Sequence, residues 1–93
     1  MKTYSQIPRD GLQPGRWYVG RGRYKNVGYW TGHYFLTIGE KFGELRVKKE
    51  PYYTETEGCF QPFRVIDEGS AVEVFGSSGW DAHYAVTMQF EGP

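Results

Sequence analysis

Short runs of alternating apolar and polar residues, separated by turn-forming residues, recur along the chain. The clearest run is "HYAVTMQF", residues 83–90, in which every second side chain is large and apolar. A period of two is typical of a β-strand that buries one of its faces. "SAVEVF" at 70–75 and "FRVID" at 63–67 predict two more strands, and "GSSG" at 76–79 predicts a hairpin loop. No segment shows apolar residues at helical spacing, so the pattern predicts an all-β fold.

The first half of the chain shows the same pattern of short strands and turns. "VGYW" and "HYFLTI" flank Thr31 and Gly32, and "GEKFG" at residues 39–43 separates "HYFLTI" from "LRVKK", so two tight hairpins are predicted. A strand from Arg16 precedes them. We therefore expect an antiparallel meander of about six or seven short strands. Because such a sheet must cover its edges or close on itself, the expected architecture is a small barrel or half-barrel of the Src-homology-3 or oligonucleotide-binding type.

The length of 93 residues predicts a single domain, residues 1–93, because the chain has no room for two independent cores. Residues 1–14 are expected to form an extended lead-in to the first strand. The segment "EPYYTETEGCFQP", residues 50–62, combines three glutamates with two prolines. Since proline fits poorly in a central strand, this segment predicts a long, acidic, exposed loop.

The composition predicts an aromatic core and argues against a membrane-spanning or secreted protein. Aromatic residues make up 18% of the chain. Each buries about 150–250 Å² when covered, so they can supply a sizeable core, in which we expect Trp17. Cys59 is the single cysteine, so no internal disulfide can form. No apolar run approaches the roughly 18 residues of a membrane span, and the first residues lack a signal-peptide pattern, so we expect a cytoplasmic protein without membrane association.

Charge is divided between the two halves of the chain, although the net charge is zero. Residues 1–49 carry ten Lys or Arg against three Asp or Glu, and residues 50–93 carry one against eight. One interpretation is a basic surface patch that meets an acidic partner. The other is that the halves interleave in the fold and neutralise each other across neighbouring strands. We prefer the second, because cross-strand charge pairing is ordinary in sheets.

The stretch "GRGRYKNVGYWTG", residues 20–32, mixes glycines, cations and aromatic rings. In a single-stranded RNA or DNA site, cations hold phosphates and rings stack on unpaired bases. The residues of these two kinds are Arg21, Arg23, Tyr24, Lys25, Tyr29 and Trp30. The alternative is a β-hairpin with a cationic rim, in which Trp30 faces the core. A pI near 6.7 argues against general nucleic-acid affinity, so nucleic-acid binding through residues 16–30 is the second hypothesis for function.

The acidic loop offers a different binding surface. Tyr52, Tyr53 and Phe60 lie there among carboxylates. Tyrosines in a polar loop are effective anchors in protein interfaces, because they bring contact area at low entropic cost. The preferred hypothesis is therefore a non-catalytic binding module for a protein partner, acting as an adaptor, an accessory subunit or an inhibitor. Contact is expected through the loop at 50–62 or the hairpin at 20–30.

A small cysteine-dependent hydrolase is the third hypothesis. On a strand, Asp81 and His83 would share a face, and with Cys59 they would form an orienting carboxylate, a base and a nucleophile. We expect no enzyme, because substrate pockets for this chemistry usually need a larger chain. The His and Cys spacings typical of metal sites are absent, as is a phosphate-binding glycine loop, so no metal or cofactor is predicted.

Overall fold

The computed structural model describes residues 5–23, 25–42, 44–54, 59–76 and 79–89. In these residues a short 3₁₀ turn, Arg9–Gly11, precedes five strands and two helices. The strands are β1 (Arg16–Arg21), β2 (Val27–Trp30), β3 (Phe35–Lys41), β4 (Glu44–Glu50) and β5 (Gln61–Ile66). The helices are α1 (Glu68–Phe75) and α2 (Gly79–Gln89). The protein is thus mostly β, as the pattern predicts, with a helical pair that the pattern does not predict.

The five strands form one antiparallel sheet in the order β4-β3-β2-β1-β5. The predicted hairpins are present as the pairs β2–β3 and β3–β4. β4 and β5 are the two edges, so the sheet is not closed into a barrel, and the expected six or seven strands are not confirmed. A single parallel bridge between Tyr52 and Phe60 links the segments that follow β4 and precede β5. It lies two residues after the end of β4 and directly before β5.

The strands predicted over 70–75 and 83–90 are wrong, because residues 68–75 and 79–89 are helical. α1 begins after Asp67, whose carboxylate accepts a hydrogen bond of 2.7 Å from the main-chain N–H of Ser70. This N–H lowers the pKa of Asp67. α1 ends at Gly76, whose φ of 82° is left-handed. The loop predicted at 76–79 has its two central residues outside the described part of the chain.

The residue types on the buried face of α2 explain why the sequence pattern does not predict a helix there. Its buried residues, Gly79, Ala82, His83 and Val86, recur at the spacing of a helix face, but only Val86 among them is strongly apolar. The large apolar side chains of the segment alternate instead and suggest a strand. At Gly79 a Cβ atom would lie 2.3 Å from the main-chain oxygen of Val72, so glycine lets α2 approach α1 closely.

The two helices cover one face of the sheet and form the first core with it. Trp17 lies at its centre, with its ring 5.0 Å from Tyr29 and 5.7 Å from Phe75, both edge to face. The prediction of Trp17 as a core residue is confirmed. The other buried members are Val27, Leu36, Ile38, Ala71, Ala82 and Val86. Helix and sheet therefore meet where α1 contacts β1 and where α2 contacts β3 and β4.

The opposite face of the sheet carries a second core. Its buried members are Leu12, Tyr18, Trp30, Phe35 and Phe60. The Phe35 ring lies 4.7 Å from that of Trp30 and 4.4 Å from that of Phe60. The N-terminal segment and the segment after β4 cover this core, and the main-chain N–H of Gln13 donates to the Tyr18 hydroxyl at 2.8 Å. All four residues of β2 are buried because both faces of the sheet are covered.

A β-bulge lies where β1 pairs with β5. The register shifts between Val19 and Gly20, so that Val19 pairs with Arg64 and Gly20 pairs with Pro62. A Cβ atom at Gly20 would lie 1.8 Å from the main-chain oxygen of Gln61. Only glycine permits this close approach, and a bulge bends the strand that contains it.

We therefore expect Gly20→Ala to destabilise the protein by about 1–3 kcal/mol, because the β5 backbone must move to admit the methyl group. Thermal unfolding followed by circular dichroism measures the loss. Gly69→Ala is the matched control: a Cβ atom there meets nothing closer than 3.4 Å, and alanine favours a helix by about 1 kcal/mol. Equal melting temperatures for Gly20→Ala and wild type would contradict the close approach.

Candidate interaction surfaces

The cations predicted to contact nucleic acid lie near the end of β1 and in the connection to β2. Arg21 and Arg23 are exposed and Lys25 is half-buried. Tyr24, predicted to stack on a base, lies outside the described residues. The main-chain N–H of Arg23 donates to a carboxylate oxygen of Glu50 at 2.7 Å, which ties this connection to the end of β4. The structure therefore keeps a cationic rim at this hairpin.

The aromatic rings predicted to bind are placed differently. Tyr29 is buried in the first core, and Trp30 and Phe60 are buried in the second. Tyr52 and Tyr53 are half-buried; the Tyr52 hydroxyl donates to the main-chain oxygen of Ile7, which fastens the loop to the N-terminal segment. Base stacking on the buried rings would require the core to open. These three rings therefore do not form part of a contact surface.

The described residues of the predicted loop are hydrogen-bonded to other segments of the chain. The main-chain oxygen of Tyr53 accepts from the Gln6 side-chain amide at 3.1 Å. The main-chain N–H of Tyr53 donates to the oxygen of Phe60 at 2.9 Å. Residues 55–58, with two of the three glutamates, lie outside the described part. The tyrosines of this segment therefore link it to other segments through hydrogen bonds.

α2 carries an exposed stripe of large side chains that the sequence patterns did not indicate. Trp80, Tyr84 and Met88 are 51%, 56% and 78% exposed. They follow one another at intervals of four residues, which places them along one side of a helix. The rings of Trp80 and Tyr84 lie 6.1 Å apart. We call these three residues the α2 stripe. Recognising them from sequence required knowing that the segment is helical.

The His83 ring packs between the α2 stripe and the first core. Its buried ring lies 5.6 Å from Trp80, 5.4 Å from Tyr84 and 5.6 Å from Trp17 in the core. Its Nε2 atom lies 3.1 Å from a carboxylate oxygen of Glu68. His83 thus connects the exposed rings to the first core.

A cleft of about 490 Å³ lies beside this pair, and its lining includes Trp17, Tyr29, Glu68 and His83. Burial, and then the nearby Glu68 carboxylate, raise the pKa of the Tyr29 hydroxyl, which keeps it protonated. The Nδ1 atom of His83 is enclosed and has no hydrogen-bond partner among the described residues.

The residues of the hydrolase hypothesis are not brought together. Cys59 directly precedes Phe60, a member of the second core, whereas His83 packs against Trp17 in the first core. Asp81 and His83 are two positions apart on α2, so they project about 200° apart around the helix axis. Their predicted common face depended on a strand that does not exist.

The charge division follows the layers of the fold. β1 to β4 belong to the basic half, except for Glu50 at the end of β4, and both helices belong to the acidic half. Residues 65–93 contain no Lys or Arg. The helices expose Glu68, Glu73 and Asp81. The ion pairs Arg46–Glu44 and His83–Glu68 each join residues of one half, so the helical layer has an acidic surface around the α2 stripe.

A second cleft, of about 490 Å³, opens at the β-bulge between β1 and β5. Its lining residues are Val19, Gly20, Arg21, Asn26, Phe63 and Arg64. We call it the arginine cleft. Val19 and Arg64 are paired across the two strands, and Arg21 follows after the bulge. Arg21 was predicted as a binding residue, while Arg64 and Phe63 were not, since they are distant in sequence.

Neither a metal centre nor a membrane span is found in the part of the chain that the structure describes. No three His, Cys, Asp or Glu side chains there come close enough together to hold a metal ion. None of its helices has the length and apolar character needed to cross a membrane. Comparison of the chain with protein-family models, with curated proteins and with solved structures found no match in any of the three. The chemistry of the surfaces themselves therefore carries the functional proposal.

Glu50 is a buried carboxylate, 1% exposed, at the end of β4. One of its oxygens accepts from Arg23, and the other, Oε2, has no hydrogen-bond partner among the described residues. Burial raises the pKa of this carboxyl group, and the hydrogen bond from Arg23 offsets this only in part. Because burial disfavours the charged form, ionised Glu50 destabilises the fold.

We expect Glu50→Gln to be more stable than wild type at pH 7, because glutamine accepts the Arg23 hydrogen bond without a buried charge. As the pH rises through the usual glutamate range near about 4.3, the unfolded chain ionises first, so wild type loses stability relative to the variant. Below that range both proteins are uncharged at this position and the difference vanishes. Urea unfolding between pH 3 and pH 8 measures it, and a constant difference would contradict the raised pKa.

Proposed function

We propose that this protein is a non-catalytic binding module and that it contacts a cationic protein partner through the α2 stripe. The observation that carries the proposal is the exposure of Trp80, Tyr84 and Met88 along one side of α2. Most other aromatic side chains of the described residues are buried or half-buried, so this stripe stands out. The module would serve as an adaptor, an accessory subunit or an inhibitor.

The chemistry of the α2 stripe suits a protein interface. Trp, Tyr and Met are enriched at the centres of interfaces, and a contiguous exposed apolar patch commonly marks a contact site. Trp80 and Tyr84 both rest on His83, which is held by Glu68 and Trp17. Rings that are already positioned lose little conformational entropy when a partner binds.

Charge identifies the kind of partner. Asp81 lies on α2 beside the stripe, and Glu73 is exposed on α1. If two copies paired through their stripes, these like charges would come together and repel. A partner with Lys or Arg flanking an apolar face would instead be attracted, and the electrostatic attraction would also speed association. An amphipathic basic helix fits this surface, since it can lay its apolar face along the stripe.

The proposal moves the protein contact from the loop at 50–62 and the hairpin at 20–30 to α2. Burial of Tyr29 and Trp30 favours a protein over single-stranded nucleic acid as the main partner, because stacking needs exposed rings. The acidic helical layer would also repel phosphates.

The test is a titration of the labelled protein with an amphipathic helical peptide of leucine and lysine, followed by NMR. We expect amide shifts centred on α2, and weaker shifts with the same peptide carrying glutamate in place of lysine. In Trp80→Ala/Tyr84→Ala, affinity is expected to fall tenfold or more, because removing an interface hot spot costs about 2 kcal/mol or more.

Phe42→Ala is the matched control, since Phe42 is 93% exposed but lies between β3 and β4. It should bind the lysine peptide as wild type does. Circular dichroism verifies that both variants are folded. Equal affinity for the lysine and glutamate peptides, or shifts that map away from α2, would overturn the proposal.

A further inference from the structure

We propose that the arginine cleft binds a phosphomonoester carried on a flat apolar group. This proposal concerns a second site and does not depend on the α2 stripe. The cleft is built by β1, β5 and the connection to β2, whereas the stripe lies on α2 in the helical layer. The two sites can therefore be tested separately.

The β-bulge brings two arginines to one opening. Without the register shift, successive residues of β1 would pair with successive residues of β5. With it, Arg21 pairs with Gln61 and Val19 pairs with Arg64. Both arginines line the cleft and both are exposed. Bulges commonly lie next to binding sites, where they redirect side chains.

The two arginines are available for a ligand. Neither takes part in an ion pair of the described residues. The described lining of the cleft contains two cations and no carboxylate, and Asn26 adds a polar side chain. Guanidinium groups bind phosphate oxygens through paired N–H donors. Two such groups match a phosphomonoester, which carries a charge of about −1.5 to −2 at neutral pH.

The rest of the lining is apolar. Val19 and Phe63 face the same opening as the arginines. Gly20 also lines the cleft and adds no side chain to it, since a Cβ atom there would lie 1.8 Å from the main-chain oxygen of Gln61. The valine and the aromatic ring beside this glycine suit a flat apolar group. The complete ligand class is therefore an aryl or nucleoside phosphate, in which the phosphate is attached to such a group.

The experiment is an NMR titration at pH 7.5 and low salt with phenyl phosphate, inorganic phosphate and benzoate. We expect amide shifts at β1 and β5, and the tightest binding for phenyl phosphate, because it alone combines the dianion with a ring. Benzoate has the ring with one charge, and inorganic phosphate has the charge without the ring. Equal affinity for benzoate and phenyl phosphate, or shifts elsewhere in the protein, would overturn the proposal.

Arg21→Gln and Arg64→Gln should each weaken phenyl phosphate binding at least fivefold. Arg46→Gln is the matched control, because Arg46 is an exposed arginine on β4, away from the cleft. It should bind as wild type does. Since all three arginines are exposed, the variants should fold, and their melting temperatures verify this. Unchanged affinity in both cleft variants would contradict the site.

Phosphotyrosine amide and adenosine 5′-monophosphate then distinguish the two sources of the ligand. The one that binds more tightly than inorganic phosphate identifies the source, and failure of both to do so overturns the apolar part of the proposal. Trp80→Ala/Tyr84→Ala should keep wild-type affinity for phenyl phosphate. Its loss of peptide binding alone would therefore not affect this inference, and loss of phosphate binding alone would not affect the proposed function.

Discussion

The burial of the central strand β2 on both faces is the constraint on which the rest of the structure depends. A sheet of five short strands exposes two faces, and this one carries aromatic rings on each. Trp17 and Tyr29 point to one side, and Trp30 and Phe35 point to the other. Because neither set of rings can remain in water without a large hydrophobic cost, both faces need a cover. The helices supply one cover, and the N-terminal segment with Tyr52 and Phe60 supplies the other.

This double cover explains why aromatic content was a poor guide to function. Seventeen aromatic residues in a chain of 93 suggest rings to spare for a partner. Most of the aromatic residues that the structure describes belong to the two small cores or pack against them. Apart from Phe42, the exposed aromatic residues that the structure describes lie on α2, whose inner side packs through Ala82 and Val86 and whose outer side carries Trp80 and Tyr84.

The strands of the sheet were predicted from the sequence, and the helical layer was not. Strands β2, β3 and β4 follow from β-branched and aromatic residues separated by turns, and each is present. Helix α2 was missed because its buried side rests on small residues and a histidine. The signals that indicate α1 were present: Asp67 precedes the helix as an N-cap, and Gly76 follows it as a left-handed stop. The alternation of apolar and polar residues over residues 70–75 predicted a strand instead.

The candidate sites could likewise be predicted from the sequence only in part. Arg21 was found because cations cluster near it in the sequence. Its partners in the cleft, Phe63 and Arg64, come from β5, and only the pairing of β1 with β5 brings them together. The α2 stripe depends in turn on the period of a helix. Both surfaces are therefore products of topology, and residue type alone does not reveal them.

The central claim is that Trp80 is the accessible tryptophan and that Trp17 and Trp30 are each enclosed in one of the two cores. Fluorine NMR of the protein labelled with 5-fluorotryptophan tests it directly, with Trp80→Phe used to assign one of the three resonances. A soluble paramagnetic agent should broaden the Trp80 resonance and leave the other two sharp. Broadening of the Trp17 or Trp30 resonance, or protection of Trp80, would contradict the two-core arrangement.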